Sequence, residues 1–386
     1  MGIINSIKKA FTRSPTKSEK FQMITQQTGR FFGFKGRLYD SDIVRAAIRP
    51  KVRAIGKSIA KHIEKDQKTL KTKINQNPQY RFLLEEPNEY MTGQMLQEKL
   101  AVQLELNNNA FAYIERIEGY PIAIYPIDCS SFEIAQDDKG ELFLKFTMYD
   151  GKVWIANYKN IIHLRKDYGP DVFLGEPPGQ ALTELMEVVS ISDQGIINAI
   201  KNSTVIRWLL HFKSNLKPSD LKDRAKVFAE TYTATASETG GVAAVGADAD
   251  AVQVDSKEYV PNALQSANTI KRVYAYFNTN EKIVHSSYSE DEWISYFESC
   301  IEPELLQFSN EFTRKLFSKT ERSFGNKILF TSSNLTFASM NTKLQLVQLV
   351  DRGIMTPNEV RDVLGYEPYD GGDEFIRRLD TRPASE

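Results

Sequence analysis

Six short β-rich runs crowd into residues 109–166 and fix the character of the middle of this chain. They are Ala110–Arg116, Ile122–Pro126, Ser131–Gln136, Leu142–Met148, Val153–Ala156 and Ile161–Arg165. Turn signals separate them: Glu118-Gly119, Asp137-Asp138-Lys139-Gly140 and Asp150-Gly151. The pattern predicts an antiparallel sheet of hairpins.

Helical patterns flank this block. Residues 41–66 carry Ile43, Ala46, Ala47, Ile55, Ile59 and Ile63 at helical spacing behind the cap candidate Ser41. Pro50 interrupts them, which predicts a helix–kink–helix. Residues 92–106 predict a second helix, capped by Thr92. After the Gly/Pro-rich loop 169–179 a helix runs over 181–201. At ~100° per residue, Leu182, Leu185, Met186, Val188, Val189, Ile196, Ile197, Ala199 and Ile200 fall in one broad apolar arc, with Ile191 outside it. An arc this wide suits a helix packed by more than one neighbour.

Further on, a strand-like run at 204–213 precedes a helix at 219–233, two small strands at 242–245 and 251–254, and a helix around 262–277. A polar loop then covers 278–290. A long helix follows over 291–319, with a kink expected at Pro303. A strand at 327–337 and helices at 341–352 and 356–364 close the pattern. Toward the start, residues 3–13 read as a short basic amphipathic helix and 12–40 as a loosely ordered arm.

At 386 residues the chain is long enough for two or three domains or one elaborated unit. Its 49 basic and 50 acidic side chains exclude a globally basic nucleic-acid binder. Two cysteines cannot make a disulfide framework. No segment approaches the ~18 consecutive apolar residues of a membrane-spanning helix, so no membrane partner is expected.

The phosphate-cradling pattern G-x-x-x-x-G-K-[ST] does not occur, nor do H-E-x-x-H and C-x-x-C, so neither a cofactor nor a metal is expected. Cys129 and His163 lie in the same β block and are the one candidate nucleophile–base pair. A lone cysteine is more commonly a buried hydrophobe. Arg207, Trp208, Lys213 and Lys217 interleave aromatic and basic character, which reads equally as a partner or nucleic-acid surface and as a sheet with one wet face. The residues alone therefore describe a mixed α+β protein without a visible active site. A soluble hydrolase built on Cys129 and His163, and a monomeric protein-binding adaptor, both remain open.

The order of segments resembles the portal proteins of HK97-like tailed phages. Leu84-Glu-Glu-Pro-Asn-Glu-Tyr-Met91, the 92–106 helix and Leu106-Asn-Asn-Asn-Ala-Phe-Ala-Tyr-Ile114 are similar to one family region, with Asn108 where glycine is typical. Tyr125-Pro126 and Asn160-Ile-Ile-His-Leu-Arg165 are similar to later family strands, and Gly175-Glu-Pro-Pro178 replaces the usual Gly-x-Ser-Pro. The most specific match is Gly353-Ile-Met-Thr-Pro-Asn-Glu-Val-Arg361, then Leu364-Gly-Tyr-Glu-Pro368 and Gly371-Gly-Asp373. Within it, Thr356, Pro357 and Glu359 spell a capping box with proline at the first helical position.

The resemblance implies a non-enzymatic subunit of a ring, normally of twelve copies, at one capsid vertex. Double-stranded DNA would pass through it during packaging and ejection. Its expected partners are further copies of itself, a terminase, a head–tail adaptor and the major capsid protein. It would reside in the virion, and in the host cytoplasm during assembly. By position, an N-terminal arm would cover 1–40. Residues 41–179 and 320–370 would build a mixed α/β wing, helices 180–201 and 258–277 a stem, and 202–257 a small α/β clip. The kinked helix would span 291–319, and the short tail 371–386 leaves a crown reduced or absent.

Leu185, Val189, Ile196, Ile197 and Ile200 would pack the stem, and Arg207, Trp208, Lys213 and Lys217 would sit at the clip. The tunnel loop would be 278–290. Its channel-lining candidates are Asn278, Thr279, Asn280, Glu281, Lys282, Ile283, Val284, His285, Ser286, Ser287 and Tyr288, with Asn280, Lys282 and His285 facing DNA.

Overall fold

A computed structural model of the chain describes residues 22–23, 29–30, 39, 41–65, 72–75, 77–169, 173–176, 178, 180–203, 208–212, 217–228, 249–253, 263–331, 340–364 and 366–376. It divides into two units, one formed by 1–179 with 273–386 and the other by 180–272. The basic helix expected at 3–13 lies outside the described residues.

In the first unit, the stretch expected to be a loose arm contributes two short strands, β1 (Gln22–Met23) and β2 (Gly29–Arg30). Ser41 caps helix α1 (Asp42–Gly56), which continues past Pro50. The Lys57 and Ser58 amides then turn back onto the Arg53 and Ile55 carbonyls and end it. The second half of the expected helix–kink–helix is instead strand β3 (Ile59–Lys65). Ile55, Ile59 and Ile63 fit a helical period, but β3 pairs residue by residue with Asn326–Thr331, and this long-range ladder outweighs the local spacing. Strand β4 (Thr72–Ile74) joins the other edge of β3, followed by helix α2 (Pro78–Glu85). The sequence reading missed both.

Thr92 caps helix α3 (Gly93–Asn107), whose residues 100–107 are all buried. The six β runs appear as β5 (Asn109–Ile117), β6 (Tyr120–Pro126), β7 (Ser131–Gln136), β8 (Leu142–Thr147), β9 (Val153–Asn157) and β10 (Ile161–Arg165). Every pairing is antiparallel, but the strands form two sheets rather than one. The first has the order β10-β5-β6; the second is β7-β8-β9, with β1 and β2 added to β7. The division falls after Pro126, where Ile127 and Cys129 turn inward before β7 begins. Both residues join a core shared by the two sheets, in which Phe111 meets Phe132 and Phe146 edge-on at centroid distances of 4.7 and 5.3 Å.

The second unit contains helix α4 (Gln180–Ser203), strand β11 (Trp208–Phe212), helix α5 (Pro218–Phe228) and strand β12 (Ala249–Gln253), with β11 antiparallel to β12. The strand expected at 242–245 lies outside the described residues. Helix α6 (Ala263–Tyr276) crosses the division between the units.

The chain continues with α7 (Glu281–Val284), α8 (Glu290–Tyr296), a π-helical turn over Phe297–Ile301, and α9 (Glu302–Leu316). The irregularity in the long helix therefore precedes Pro303. That proline sits in the first turn of α9, where its missing N–H is least costly. The helix also ends earlier than expected, because Phe317 is extended and Ser318 caps a separate helix, α10 (Lys319–Ser323). Strand β13 (Asn326–Thr331) completes a third sheet, β13-β3-β4. Phe330 on β13 packs against Phe308 and Phe312 of α9 at 5.6 and 5.0 Å. Helices α11 (Met340–Asp351) and α12 (Pro357–Leu364) follow.

Candidate functional site

The segment 278–290 is polar in sequence, but it is a braced structure rather than an open loop. Asn278 takes a left-handed conformation at φ 52, and the Thr279 amide turns back onto the Tyr274 carbonyl at 2.9 Å. The Asn280 side chain accepts the Ile283 amide at 3.1 Å and so starts α7. After α7 the Ser287 amide donates to the Lys282 carbonyl at 2.9 Å. Ser289 and Glu292 form a capping box that opens α8, and Lys282 pairs with the same Glu292. Tyr288 stacks on Trp293 with centroids 4.9 Å apart.

This bracing sorts the expected channel residues. Thr279 and Ile283 are buried and Val284 is half-buried, so these three anchor the segment. Asn278, Asn280, Glu281, Lys282, His285, Ser286, Ser287 and Tyr288 are exposed. Of the three expected to face DNA, Asn280 is engaged as a helix cap and Lys282 as an ion-pair partner, while His285 is exposed on the turn after α7.

The same unit holds a buried ionic cluster. Lys51 Nζ of α1 contacts Glu105 of α3 at 2.9 Å and Glu304 of α9 at 3.2 Å, and Lys166 reaches the second Glu105 oxygen at 2.8 Å. Burial works to raise the Glu105 carboxyl, but Lys166 and Lys51 overcome it and hold Glu105 well below the usual carboxylate range. Burial, reinforced by the Glu105 charge, raises Glu304. The opposite shifts of the two carboxyls favour a single proton held between them, as expected where two carboxyls share a site. Burial also pushes the neighbouring Tyr296 hydroxyl up to about 12. The cluster ties α1, α3 and α9 together.

The hydrolase geometry does not form. Cys129 is fully buried in the apolar core, and burial raises its thiol far above neutral pH, with Asp128 adding to the effect. A buried protonated thiol is not a nucleophile. The His163 ring contacts Asn109 Oδ1 at 3.0 Å and the Tyr158 hydroxyl at 3.2 Å, and it stacks on Phe111. Burial lowers its pKa well below the ordinary value, so it is a neutral, positioned core residue.

On α4, Leu182, Leu185 and Val189 are buried and Ile196 is half-buried, whereas Val188 and Ile197 are exposed. The covered stripe is narrower than the apolar arc in the sequence, and the Ile200 side chain lies outside the described residues. Among the clip candidates, Lys217 is exposed just before α5. Trp208 opens β11, its side chain outside the described residues, as are Arg207 and Lys213 entirely.

A family model described as "Phage portal protein" matches residues 42–365. The chain belongs to this family. The probable portal proteins of Lactococcus phages p2 and SK1 are each 30% identical to it over 107 residues, 26% of this chain. That match spans only 28% of their own length. Among solved structures, the neck of the empty gene transfer agent particle, computed with C6 symmetry, matches with a TM-score of 0.64 at 13% identity, over 90% of this chain and 98% of that one. The neck of the native particle, computed with C12 symmetry, matches with a TM-score of 0.60 at 15% identity, covering 86% and 92%. An HK97-family portal protein from Corynebacterium diphtheriae gives 0.53 at 14% identity, covering 81% and 99%.

Two portal-like sequence regions acquire structural roles. Asn108 ends α3 in the left-handed region at φ 55, the conformation that favours glycine, and its side chain donates to the Glu176 carbonyl at 2.7 Å. Asn109 clasps Gly175 from both sides, donating to its carbonyl at 2.8 Å and accepting its amide at 3.0 Å. The asparagine run therefore staples 175–176 onto the end of α3. In the closing region, Thr356 and Glu359 form the expected capping box. Asn358 holds the Gly371-Gly372-Asp373 turn: its amide donates to the Gly372 carbonyl at 2.9 Å, and its side chain reaches the Tyr369 carbonyl and Asp373, each at 3.0 Å. These asparagines stand within the matched motifs, but their partners are far away along the chain.

Proposed function

We propose that this protein is the subunit of a portal ring, of twelve copies, set at one capsid vertex as the conduit for DNA packaging and ejection. The family match over 42–365 carries the reading. Residues 41–179 and 320–370 would form the wing, α4 and α6 the stem, and 202–257 the clip that meets terminase and later the head–tail adaptor. Segment 278–290 would line the constriction, presenting Glu281, Lys282, His285, Ser286 and Ser287.

Phosphate contacts by Lys and Arg dominate affinity for DNA, so a surface along which DNA slides needs few unpaired cations. The balance of 49 basic and 50 acidic residues and the Lys282–Glu292 pair both suit such a surface. The exposed apolar residues of α4, Val188 and Ile197, suit packing against neighbouring subunits. ATP hydrolysis would belong to a separate terminase motor, and this chain would act without catalysis, in the virion and during assembly in the host cytoplasm.

Size-exclusion chromatography with light scattering tests the reading. A mass of about a dozen subunits is expected. A monomer would favour the adaptor reading instead.

A further inference from the structure

On α1 and its C-cap, Arg49, Arg53 and Lys57 recur every four residues and are all exposed, while Ile48, Val52 and Ile55 face the core. Among the described residues no ion pair engages any of the three. They line a cleft of about 270 Å³ whose opposite wall is Ser286, Tyr288 and Trp293. The stretch from α8 to α9 carries a row of opposite sign. Asp291, Glu298 and Glu302 are exposed and likewise without an ion pair among the described residues. Two large apolar side chains share this row, Ile294 at 37% exposure and Leu306 at 51%. Ile294, Glu298, Glu302 and Leu306 follow one another at intervals of four and are all exposed, so they run along the solvent side of this stretch.

The two rows belong to one packed unit, joined through the Lys51–Glu304 contact, yet no ion pair connects them among the described residues. Each row therefore lacks within its own subunit the charge that the other supplies. A head-to-tail interface brings two different patches of the same chain together at every contact and closes into a ring when the rotation permits. Charge complementarity at such a contact sets register and rejects wrong pairings.

We propose that the Arg49/Arg53/Lys57 row of one subunit docks against the Asp291/Glu298/Glu302 row of a second copy of this chain. The cleft receives the carboxylates, and Ile294 and Leu306 supply apolar contact. This rests on the ring reading and names the surfaces that close the ring.

A charge-swap series tests it, read by light scattering and by circular dichroism for folding. One variant carries R49E, R53E and K57E; a second carries D291K, E298K and E302K; a third carries all six. The first two, each folded, are expected to lose ring assembly at least tenfold in concentration dependence. An equimolar mixture of the two, and the six-fold variant alone, are expected to restore it. The mixed rings should contain even numbers of subunits, because the two types must alternate. A second measurement does not depend on charge reversal: in a C300S background, R53C with E298C should cross-link neighbouring subunits into a ladder. Rings formed by either triple variant at the wild-type concentration, a mixture that does not assemble, or cross-links only within one subunit would each overturn the proposal alone. A monomeric wild-type chain would overturn the ring reading and this inference together.

Discussion

Lys51 Nζ and Glu105 Oε1 lie 2.9 Å apart, both side chains almost wholly shielded from solvent, on two helices, although the two residues are 54 positions apart in the chain. The pair gains a second carboxyl from Glu304 and a second cation from Lys166, so the middle of the first unit holds a compact ionic knot. Desolvating these charges is costly, and breaking one partnership leaves the others uncompensated.

Lys51→Met should therefore destabilise the subunit by about 3–5 kcal/mol, the range for removing one partner of a buried ion pair. Urea unfolding measures this, and a loss below 1 kcal/mol would mean that the cluster relaxes or is hydrated.

Glu304 gives the cluster a pH signature. Burial and then the Glu105 charge raise its folded-state pKa from the ordinary 4.5 to about 8. Between those values the folded state holds a proton that the unfolded state has released, so this contribution to stability falls as pH rises through the window. Glu304→Gln should flatten that fall. The difference in melting temperature between wild type and variant, followed from pH 5 to 9, isolates it from His163, whose depressed pKa acts with opposite sign in both proteins.

Cys129 is fully buried with its thiol pKa raised, whereas Cys300 is half-exposed. A maleimide probe on the native protein should modify Cys300 alone, and Cys129 should react only after unfolding. Rapid native labelling of Cys129 would reopen the nucleophile reading.

Gly175 sits where any Cβ would collide with the backbone carbonyls of Asn108 and Lys166. Neither obstacle can rotate away, so Gly175→Ala should cost about 3 kcal/mol, the upper part of the usual overpacking range. Asn108→Gly should cost less, because it loses the bond to Glu176 but relieves a left-handed residue. Chemical denaturation of the two variants checks the order.

Much of this was legible in the sequence where the signal is local. The hairpin strands announce themselves through alternation and turn residues, and the Thr356 capping box can be read from three letters. What escaped is set by partners distant in the chain. Ile59 and Ile63 fit a helix until Asn326–Thr331 arrives to pair with them. Two sheets replace one because Ile127 and Cys129 turn into a shared core, which no hairpin signal encodes. In the candidate channel segment, polarity marked the stretch, yet Ile283 and Thr279 anchor it and Asn280 is used as a cap. The ionic cluster was invisible, since Lys51, Glu105 and Glu304 each look like ordinary helix-surface charges until α1, α3 and α9 pack together.

The most direct test of the channel assignment is a cryo-electron microscopy map of the assembled protein. A ring of twelve subunits is expected, with residues 278–290 of every copy converging on the axis at the narrowest point. A ring whose axis is lined by other residues, with 278–290 on the outer surface, would contradict it.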